Sequence, residues 1–488
     1  MNSNSQGLSA FTDNGDKGSL AYLSFVCIVS ALGGLLFGFD TYVVSGARGL
    51  VVKQFQLGAA MEGWFVASAT LGCVIGAAIA GTISDRYGRK KVLILSGVLF
   101  VVSVWGCCIA KSTAVLIAAR WIGGLGVGVS SMVSPLYISE ISPPRLRGRM
   151  VTLFQFAITI GICLALFSNA GLQAISEKYA GSESTGFWHY IIIQEVWRGM
   201  FGAEFVPAML FLLLCLIIPE SPRWLVKVGR LSEAKKTIAT VSGSAVADRE
   251  IKEIKNVIAY KAGSVMQLFR PGLRKALFVA LFLAIVSELS GITIVFLYGP
   301  GILEDAGFSF GGALGGFVPI GVVNVVFTII AIWLMDKAGR RPLLFLGNLG
   351  CCISLFTIGI LFSTNRTGGI ILVFMICLFV ACFAFSMGPI KWVVISEIFP
   401  TRIRGRAAAI ATLAVWGTDF IYNQFYPIVE SRIGVGNSFF IFAVVLIPQF
   451  FFVWKIMPET KGRTLEEIEQ SWTLTKSEPA EIADQPGN

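Results

Sequence analysis

The stretch Ser139-Glu-Ile-Ser-Pro-Pro-Arg-Leu-Arg-Gly-Arg149 returns later in the chain as Ser396-Glu-Ile-Phe-Pro-Thr-Arg-Ile-Arg-Gly-Arg406. Two other motifs also occur twice, in the same order along the chain. Asp85-Arg-Tyr-Gly-Arg-Lys corresponds to Asp336-Lys-Ala-Gly-Arg-Arg, and Pro219-Glu-Ser-Pro-Arg223 corresponds to Pro458-Glu-Thr-Lys-Gly-Arg463. The repeats predict a chain built from two halves that carry matching polar motifs at matching places.

The composition indicates a membrane protein. Hydrophobic residues make up 55% of the 488 residues and charged residues only 14%, whereas about 25% of an ordinary soluble domain is charged. A soluble enzyme and a disordered chain are therefore excluded. A helix needs about 20 apolar residues to cross a bilayer, and the sequence contains twelve such stretches. These predicted spans 1–12 start near residues 20, 61, 92, 114, 150, 198, 275, 312, 342, 369, 404 and 435.

The basic residues predict the orientation of the chain in the membrane. They are concentrated after spans 2, 4, 8 and 10, while the loops on the opposite side contain few of them. By the positive-inside rule, both termini of this multi-pass protein are expected in the cytoplasm. The net charge of +10 is thus a topology signal, and no nucleic-acid partner is expected. The predicted domains are a cytoplasmic tail 1–19, a six-helix half 20–219, a cytoplasmic helical linker 220–274, a six-helix half 275–457 and a cytoplasmic tail 458–488.

Two six-helix halves joined by a cytoplasmic segment form an all-α membrane protein of the major facilitator type, in which the substrate lies between the halves. The repeated motifs place carboxylates and arginines together at the predicted cytoplasmic ends of the helices. There they can pair across neighbouring helices and hold the inner side closed while the outer side is open; the alternative is that they only fix the topology. The predicted cytoplasmic gate consists of Asp85, Arg89, Glu140, Arg149, Glu220, Arg223, Asp336, Arg340, Glu397, Arg406 and Glu459.

Four motifs in one order carry a family resemblance: Arg120-Trp-Ile-Gly-Gly-Leu-Gly-Val-Gly128, Pro219-Glu-Ser-Pro-Arg-Trp-Leu225, Asp336-Lys-Ala-Gly-Arg-Arg341 and Pro458-Glu-Thr-Lys-Gly-Arg463. With them the chain resembles the sugar porter family of the major facilitators from about residue 25 to 470. Phe37-Gly-Phe-Asp40-Thr in span 1 and Trp197-Arg-Gly-Met-Phe-Gly-Ala-Glu204 in span 6 make it most similar to the bacterial xylose–proton symporters.

Three ionisable residues, Asp40, Arg120 and Glu204, lie inside predicted spans 1, 4 and 6. Such residues are costly in a membrane and indicate a functional site. Each lies about six residues from the outer end of its span, or roughly 9 Å deep at 1.5 Å per residue, so the three are expected at one level. Arg120 is expected to pair with Asp40, and protonation of Asp40 would release the pair. The resemblance implies that these residues couple transport to protons; a static ion pair is the alternative.

A sugar site needs amide groups and aromatic surfaces. Gln155 and Asn324 are polar residues in apolar runs, although each could instead form an interhelical hydrogen bond. The two Gly-Pro pairs, Gly299-Pro300 and Gly388-Pro389, could break or bend spans 7 and 10. The resemblance implies that the sugar contacts the following residues: Phe37, Gln155, Tyr298, Asn324, Trp392 and Trp416.

The sequence departs from the family pattern in the second half of this site. Ser287-Glu288-Leu-Ser-Gly-Ile-Thr293 replaces two glutamines and an asparagine, and Lys391 and Asp419 replace uncharged residues. Glu288 is therefore included in the predicted substrate site. Unpaired charges there would be prohibitive, so Lys391 is expected to pair with one of the two acids. An alternative is that these charges face a polar or charged substrate.

Together these features predict import of a xylose- or glucose-like monosaccharide with a proton by alternating access. A transporter of another polyol, such as an inositol, and a sugar sensor that does not transport are the alternatives. No catalytic residue, metal site or cofactor is expected, since the sequence shows no nucleophile triad or metal cluster. The predicted partners are the sugar, protons and the lipid bilayer, and the chain is not expected to be an enzyme. The resemblance implies a monomer in the cell inner membrane.

Overall fold

The computed structural model describes residues 18–181, 186–259, 265–269, 273–367, 370–399 and 403–457, and within these ranges it contains helices and no strand. Eleven segments are long and apolar enough to cross a membrane. The last of them, Gly405–Lys455, has 51 residues, which is enough for two crossings. Gly434 interrupts it with φ 80° and ψ 163°, a backbone conformation that favours glycine. The twelve predicted spans are therefore all present.

The helices begin within about one turn of the predicted starts. Spans 1–5 are Leu20–Phe55, Ala59–Tyr87, Arg89–Ile109, Thr113–Ile141 and Arg147–Tyr179. Span 6 consists of Val196–Gly202 and Phe205–Ile217, and span 7 of Leu273–Leu289 and Ile292–Asp305. Spans 8 and 9 are Phe310–Ala338 and Arg340–Ser363, span 10 consists of Ile370–Phe385 and Met387–Glu397, and spans 11 and 12 are the two parts of Arg404–Lys455.

Spans 7 and 10 are each made of two helices, but the breaks do not lie at the Gly-Pro pairs. In span 7 the break is at Gly291, with φ 88°, and Pro300 lies inside the following helix. In span 10 the break is at Ser386, and Pro389 lies in the first turn of Met387–Glu397. A proline is tolerated in a first turn because its missing N–H has no partner there anyway. The expected breaks thus exist, but upstream of the prolines.

Small residues let the spans of the first half approach closely. A Cβ atom on Gly124 of span 4 would lie 1.9 Å from the carbonyl oxygen of Ala69 in span 2, and one on Gly161 of span 5 would lie 2.0 Å from that of Leu35 in span 1. Such glycine contacts are a common way to pack helices in lipid, where no hydrophobic force drives the helices together. The close packing fixes the helices that carry the site described below.

Three short helices follow the first half: Pro222–Lys227, Leu231–Ser242 and Ser244–Ala259. All three lie within the predicted helical linker 220–274. In the first of them, Ser221 is the N-cap and Pro222 occupies the first turn. The indole N–H of Trp224 donates to the carbonyl of Asp85 at 3.1 Å, which docks these helices on the end of span 2. We call this end of the bundle the linker face and the opposite end the outer face.

Candidate functional site

A cavity of about 390 Å³ lies between the two halves, within the range of about 300–1,000 Å³ found for small-molecule pockets. It extends toward the linker face, reaching Val151 near the start of span 5 and Met335 near the end of span 8. Spans 1, 4, 5, 7, 8, 10 and 11 line it. Six of the seven predicted substrate residues are in its wall: Phe37, Gln155, Glu288, Asn324, Trp392 and Trp416.

Tyr298, the seventh predicted substrate residue, does not line this cavity. Its side chain is fully buried and its hydroxyl donates to the carbonyl of Asn423 at 3.2 Å. The guanidinium carbon of Arg48 lies 4.6 Å from the centre of its ring, and Arg48 also pairs with Glu62 at 2.9 Å. Tyr298 is thus part of a closure between the halves on the outer side of the cavity.

Aromatic pairs join the two halves at successive levels below this closure. The rings of Phe37 and Trp416 are 5.1 Å apart in the cavity wall. Nearer the outer face, the rings of Tyr42 and Phe296 are 5.2 Å apart. The Trp416 indole nitrogen is buried with no hydrogen-bond partner among the described residues. A hydrogen-bond donor without a partner among the described residues thus belongs to a residue of the cavity wall.

The prediction missed several cavity residues that helix geometry could have supplied. Residues four apart lie on one face of a helix. From Gln155 this spacing gives Thr159, from Phe37 it gives Thr41, and from Asn324 it gives Thr328. These and other residues that were not predicted line the cavity, among them Thr41, Tyr42, Thr159, Thr293, Phe296, Thr328 and Thr412.

Lys391 pairs with Glu288, as one of the two pairings expected from the sequence. Thr293 donates to the other oxygen of Glu288 at 3.4 Å. Asp419 lies near both Glu288 and Lys391. All three charged side chains line the cavity and are less than a tenth exposed. We call Glu288, Lys391 and Asp419 the cavity triad.

Asp40, Arg120 and Glu204 also meet, and they do so in the core of the first half. Arg120 donates through one nitrogen to the Asp40 carboxylate and to the Asp40 carbonyl, both at 2.8 Å. Glu204 lies at the break in span 6 and close enough to Asp40 for a side-chain hydrogen bond. All three are 1–2% exposed. We call them the core triad; their expected meeting is confirmed, and their role in proton coupling remains a prediction.

Four of the predicted gate residues, Asp85, Arg89, Glu140 and Glu220, form one network on the linker face. Arg89 donates to both oxygens of Glu140, at 2.9 and 3.0 Å, and pairs with Asp85 at 3.0 Å. Glu220 accepts from the backbone N–H of Arg89 at 2.8 Å, and Ser221 donates to Glu140 at 2.5 Å. This network joins spans 2, 3 and 4 to the linker within one half.

The structure also describes the side chains of four other predicted gate residues. Arg149 and Arg406 are exposed, and Arg223 is half-buried. Arg340 donates to the carbonyl of Met335 at 3.2 Å. The side chains of Asp336 and Glu397, and all of Glu459, lie outside the described residues. A gate that acts between the two halves therefore remains a prediction.

Comparisons with known proteins agree with this architecture. The family model "Sugar (and other) transporter" matches residues 26–472. The arabinose–proton symporter of Bacillus subtilis (strain 168) is 41% identical over 458 residues, covering 93% of this chain and 96% of that protein. The D-xylose–proton symporter of Escherichia coli (strain K12) is 35% identical over 486 residues, covering 93% and 96%. A partially occluded inward-open structure of the E. coli xylose transporter XylE matches with a TM-score of 0.79 at 33% identity, covering 91% of this chain and 100% of that one.

Proposed function

Because the chain belongs to the sugar transporter family that its motifs suggested, we propose that it imports a monosaccharide together with a proton by alternating access. The observation that carries the proposal is the cavity between the halves. Its wall combines amides from Gln155 and Asn324 with the aromatic rings of Phe37, Trp392 and Trp416. Amides can donate to and accept from sugar hydroxyls, and aromatic rings cover the apolar face of a sugar ring.

The relatives suggest which sugars to test first. Two similar proteins are named as symporters of arabinose and of xylose with a proton, so a pentose is the first candidate for this chain. These names do not favour the polyol transporter or the sugar sensor. The buried pair of Asp40 and Arg120 supplies a carboxylate whose protonation can be coupled to transport, so that a proton gradient alone drives import without a cofactor.

We further propose that the linker face is the cytoplasmic side, with both termini there, and that the chain acts as a monomer in the inner membrane. Arg89, Lys90 and Arg147 are on this face, as the positive-inside rule requires of cytoplasmic loops. The cavity extends toward it, whereas Arg48 and Tyr298 close the opposite side. With this orientation, the cavity is open toward the cytoplasm and the structure corresponds to an inward-facing state of a transporter.

The proposal is tested with purified protein in proteoliposomes. Labelled arabinose, xylose, glucose, galactose and myo-inositol are offered with and without an inward proton gradient. We expect the gradient to drive accumulation of at least one monosaccharide and a protonophore to abolish it. Equilibration without accumulation would instead establish a facilitator, and accumulation of inositol alone would establish the polyol alternative.

Replacing Gln155 by alanine is expected to weaken sugar binding without changing the coupling to protons. Losing one hydrogen-bonding partner costs about 1–3 kcal/mol, so the affinity should fall about 5- to 150-fold. Binding can be followed by the fluorescence of Trp392 and Trp416, which line the cavity. Gln173→Ala is the matched control, because Gln173 is in the same span but bonds to Glu177 at 2.9 Å and does not line the cavity. Equal losses in both variants would contradict the assignment of Gln155.

A further inference from the structure

We propose that the cavity triad of Glu288, Lys391 and Asp419 is a second proton-binding site, at which one proton is shared between the two acids beside the bound sugar. The effect on sugar binding rests on the proposed function, whereas the presence of the shared proton does not. It goes beyond the coupling role expected of Asp40, because the triad belongs to the other half of the protein. It also replaces the idea that these charges only hold each other in place.

Charge balance is the first argument. Lys391 can neutralise one carboxylate, and it is paired with Glu288. The second carboxylate, Asp419, is 7% exposed, and its Oδ1 atom is buried without a hydrogen-bond partner among the described residues. Thr293 and Glu288 are within hydrogen-bonding reach of Asp419, but neither is a cation, and a buried carboxylate whose charge is not neutralised is costly. One proton on the two acids removes the excess charge and provides the missing donor.

The neighbours of the cavity triad that the structure describes on spans 1, 2 and 11 are groups without a positive charge. Tyr42 of span 1 faces Thr293, Glu288 and Asp419. Tyr422 of span 11 lies near Asp419, and so does Cys73 of span 2. Phenol and thiol groups are neutral at ordinary pH. Thr293, which lies in the second helix of span 7, has a hydroxyl group that does not titrate. Among the groups named here, Lys391 is therefore the one cation that faces the two acids.

The core triad has the same composition and supports the same interpretation. It contains two acids and one base, with the base paired to one acid at 2.8 Å and the second acid adjacent. Oδ2 of Asp40 and Oε1 of Glu204 likewise lack hydrogen-bond partners among the described residues. Each half thus places one more carboxyl than cation in a buried position. The two sites differ in that the wall of the cavity contains the cavity triad but not Asp40.

The position of the cavity triad predicts how the proton affects the sugar. A sugar that fills the cavity removes water from Asp419, which disfavours the charged form. Binding of the sugar should therefore strengthen binding of the proton, and by reciprocity the proton should strengthen binding of the sugar. With one proton linked in this way, sugar affinity should fall about tenfold for each pH unit above the midpoint of the cavity triad.

Infrared spectroscopy of the sugar-free protein in lipid tests for the proton directly. In an Asp40→Asn background, Glu204 can balance Arg120, so the core triad needs no proton. We expect the C=O band of a protonated carboxyl group that is lost on adding either Glu288→Gln or Asp419→Asn, since either change leaves one acid and one base. Glu430, a half-buried acid near the outer face, can contribute a band of its own, so the background also carries Glu430→Gln. Glu177→Gln, which changes an exposed acid near the outer face, should keep the remaining band. A band that survives in either cavity-triad variant would overturn the shared proton, and its complete absence would mean a net negative site suited to a cationic ligand.

The link to the sugar is read separately, from sugar affinity against pH in the same Asp40→Asn background. We expect the affinity to fall with rising pH, and the further Asp419→Asn change to make it independent of pH. A flat profile before that change would overturn the link. The infrared result needs neither sugar nor gradient, so it remains decisive if the transport assay fails. Accumulation without any protonated band would in turn support the proposed function while rejecting the second proton site.

Discussion

Asp40→Asn should abolish accumulation of sugar against its gradient while leaving exchange of labelled for unlabelled sugar in place. The substitution removes the carboxylate that pairs with Arg120 at 2.8 Å, and asparagine cannot carry a proton. The fold is expected to survive, because Glu204 is close enough to interact with Arg120 and can balance its charge. Exchange needs only the movement of the loaded carrier, whereas accumulation needs the proton to be released.

The measurement is uptake and counterflow in proteoliposomes under an inward proton gradient, with Asp305→Asn as the matched control. Asp305 is an exposed aspartate at the outer end of span 7, so its substitution should preserve both activities. Accumulation by the Asp40→Asn variant at the level of the unchanged protein would reduce the core triad to a structural ion pair. Loss of exchange as well as accumulation would show that Asp40 is needed for the loaded carrier to move.

Lys391→Met should destabilise the protein and stop transport, and adding Glu288→Gln should restore stability. Removing one partner of a buried ion pair costs about 3–5 kcal/mol, because the remaining charge is left without compensation. The single variant leaves Glu288 and Asp419 together with no cation. The double variant leaves one acid, which can be neutralised by a single proton.

Thermal unfolding in detergent measures the loss and the rescue, and Lys111→Met is the control because Lys111 is exposed in an outer loop. If the single variant melted and transported like the unchanged protein, the ion pair would not matter for folding or function. Rescue by Asp419→Asn but not by Glu288→Gln would show that Lys391 serves Asp419 instead. The thermal unfolding results can be read without knowing the substrate.

The spans could be predicted because apolar runs report directly on the thickness of the bilayer. The starts differ where charged residues continue the helix beyond the apolar run. Span 3 was expected near residue 92 but begins at Arg89, because Arg89 is buried in a pair with Glu140. The exposed Lys91 can extend from this helix end into water. The boundary between spans 11 and 12 was placed correctly near residue 435, where Gly434 interrupts an otherwise continuous helix.

Contacts between helices were harder to predict than the helices. Charge balance required a partner for Lys391, but only packing decides between Glu288 and Asp419, which are on different spans. Tyr298 was placed at the sugar site by resemblance, and its position under Arg48 depends on the relative placement of the two halves. Single-sequence patterns describe one helix at a time, so they identify which residue types are unusual but not which of them meet.

The helix Ile292–Asp305 belongs both to the wall of the cavity and to the closure on the outer side. Thr293 and Phe296 at its start are in the cavity wall, while Tyr298, half a turn further, belongs to the outer closure. The helix is separated from the rest of span 7 at Gly291, where a Cβ atom would lie 2.4 Å from the ring of Phe442. A ligand on the first turn therefore acts on the same rigid body that seals the exit. Binding of a ligand in the cavity and closure of the outer side can therefore shift the same equilibrium between two positions of this helix. No series of intermediate residues is needed to couple the two events.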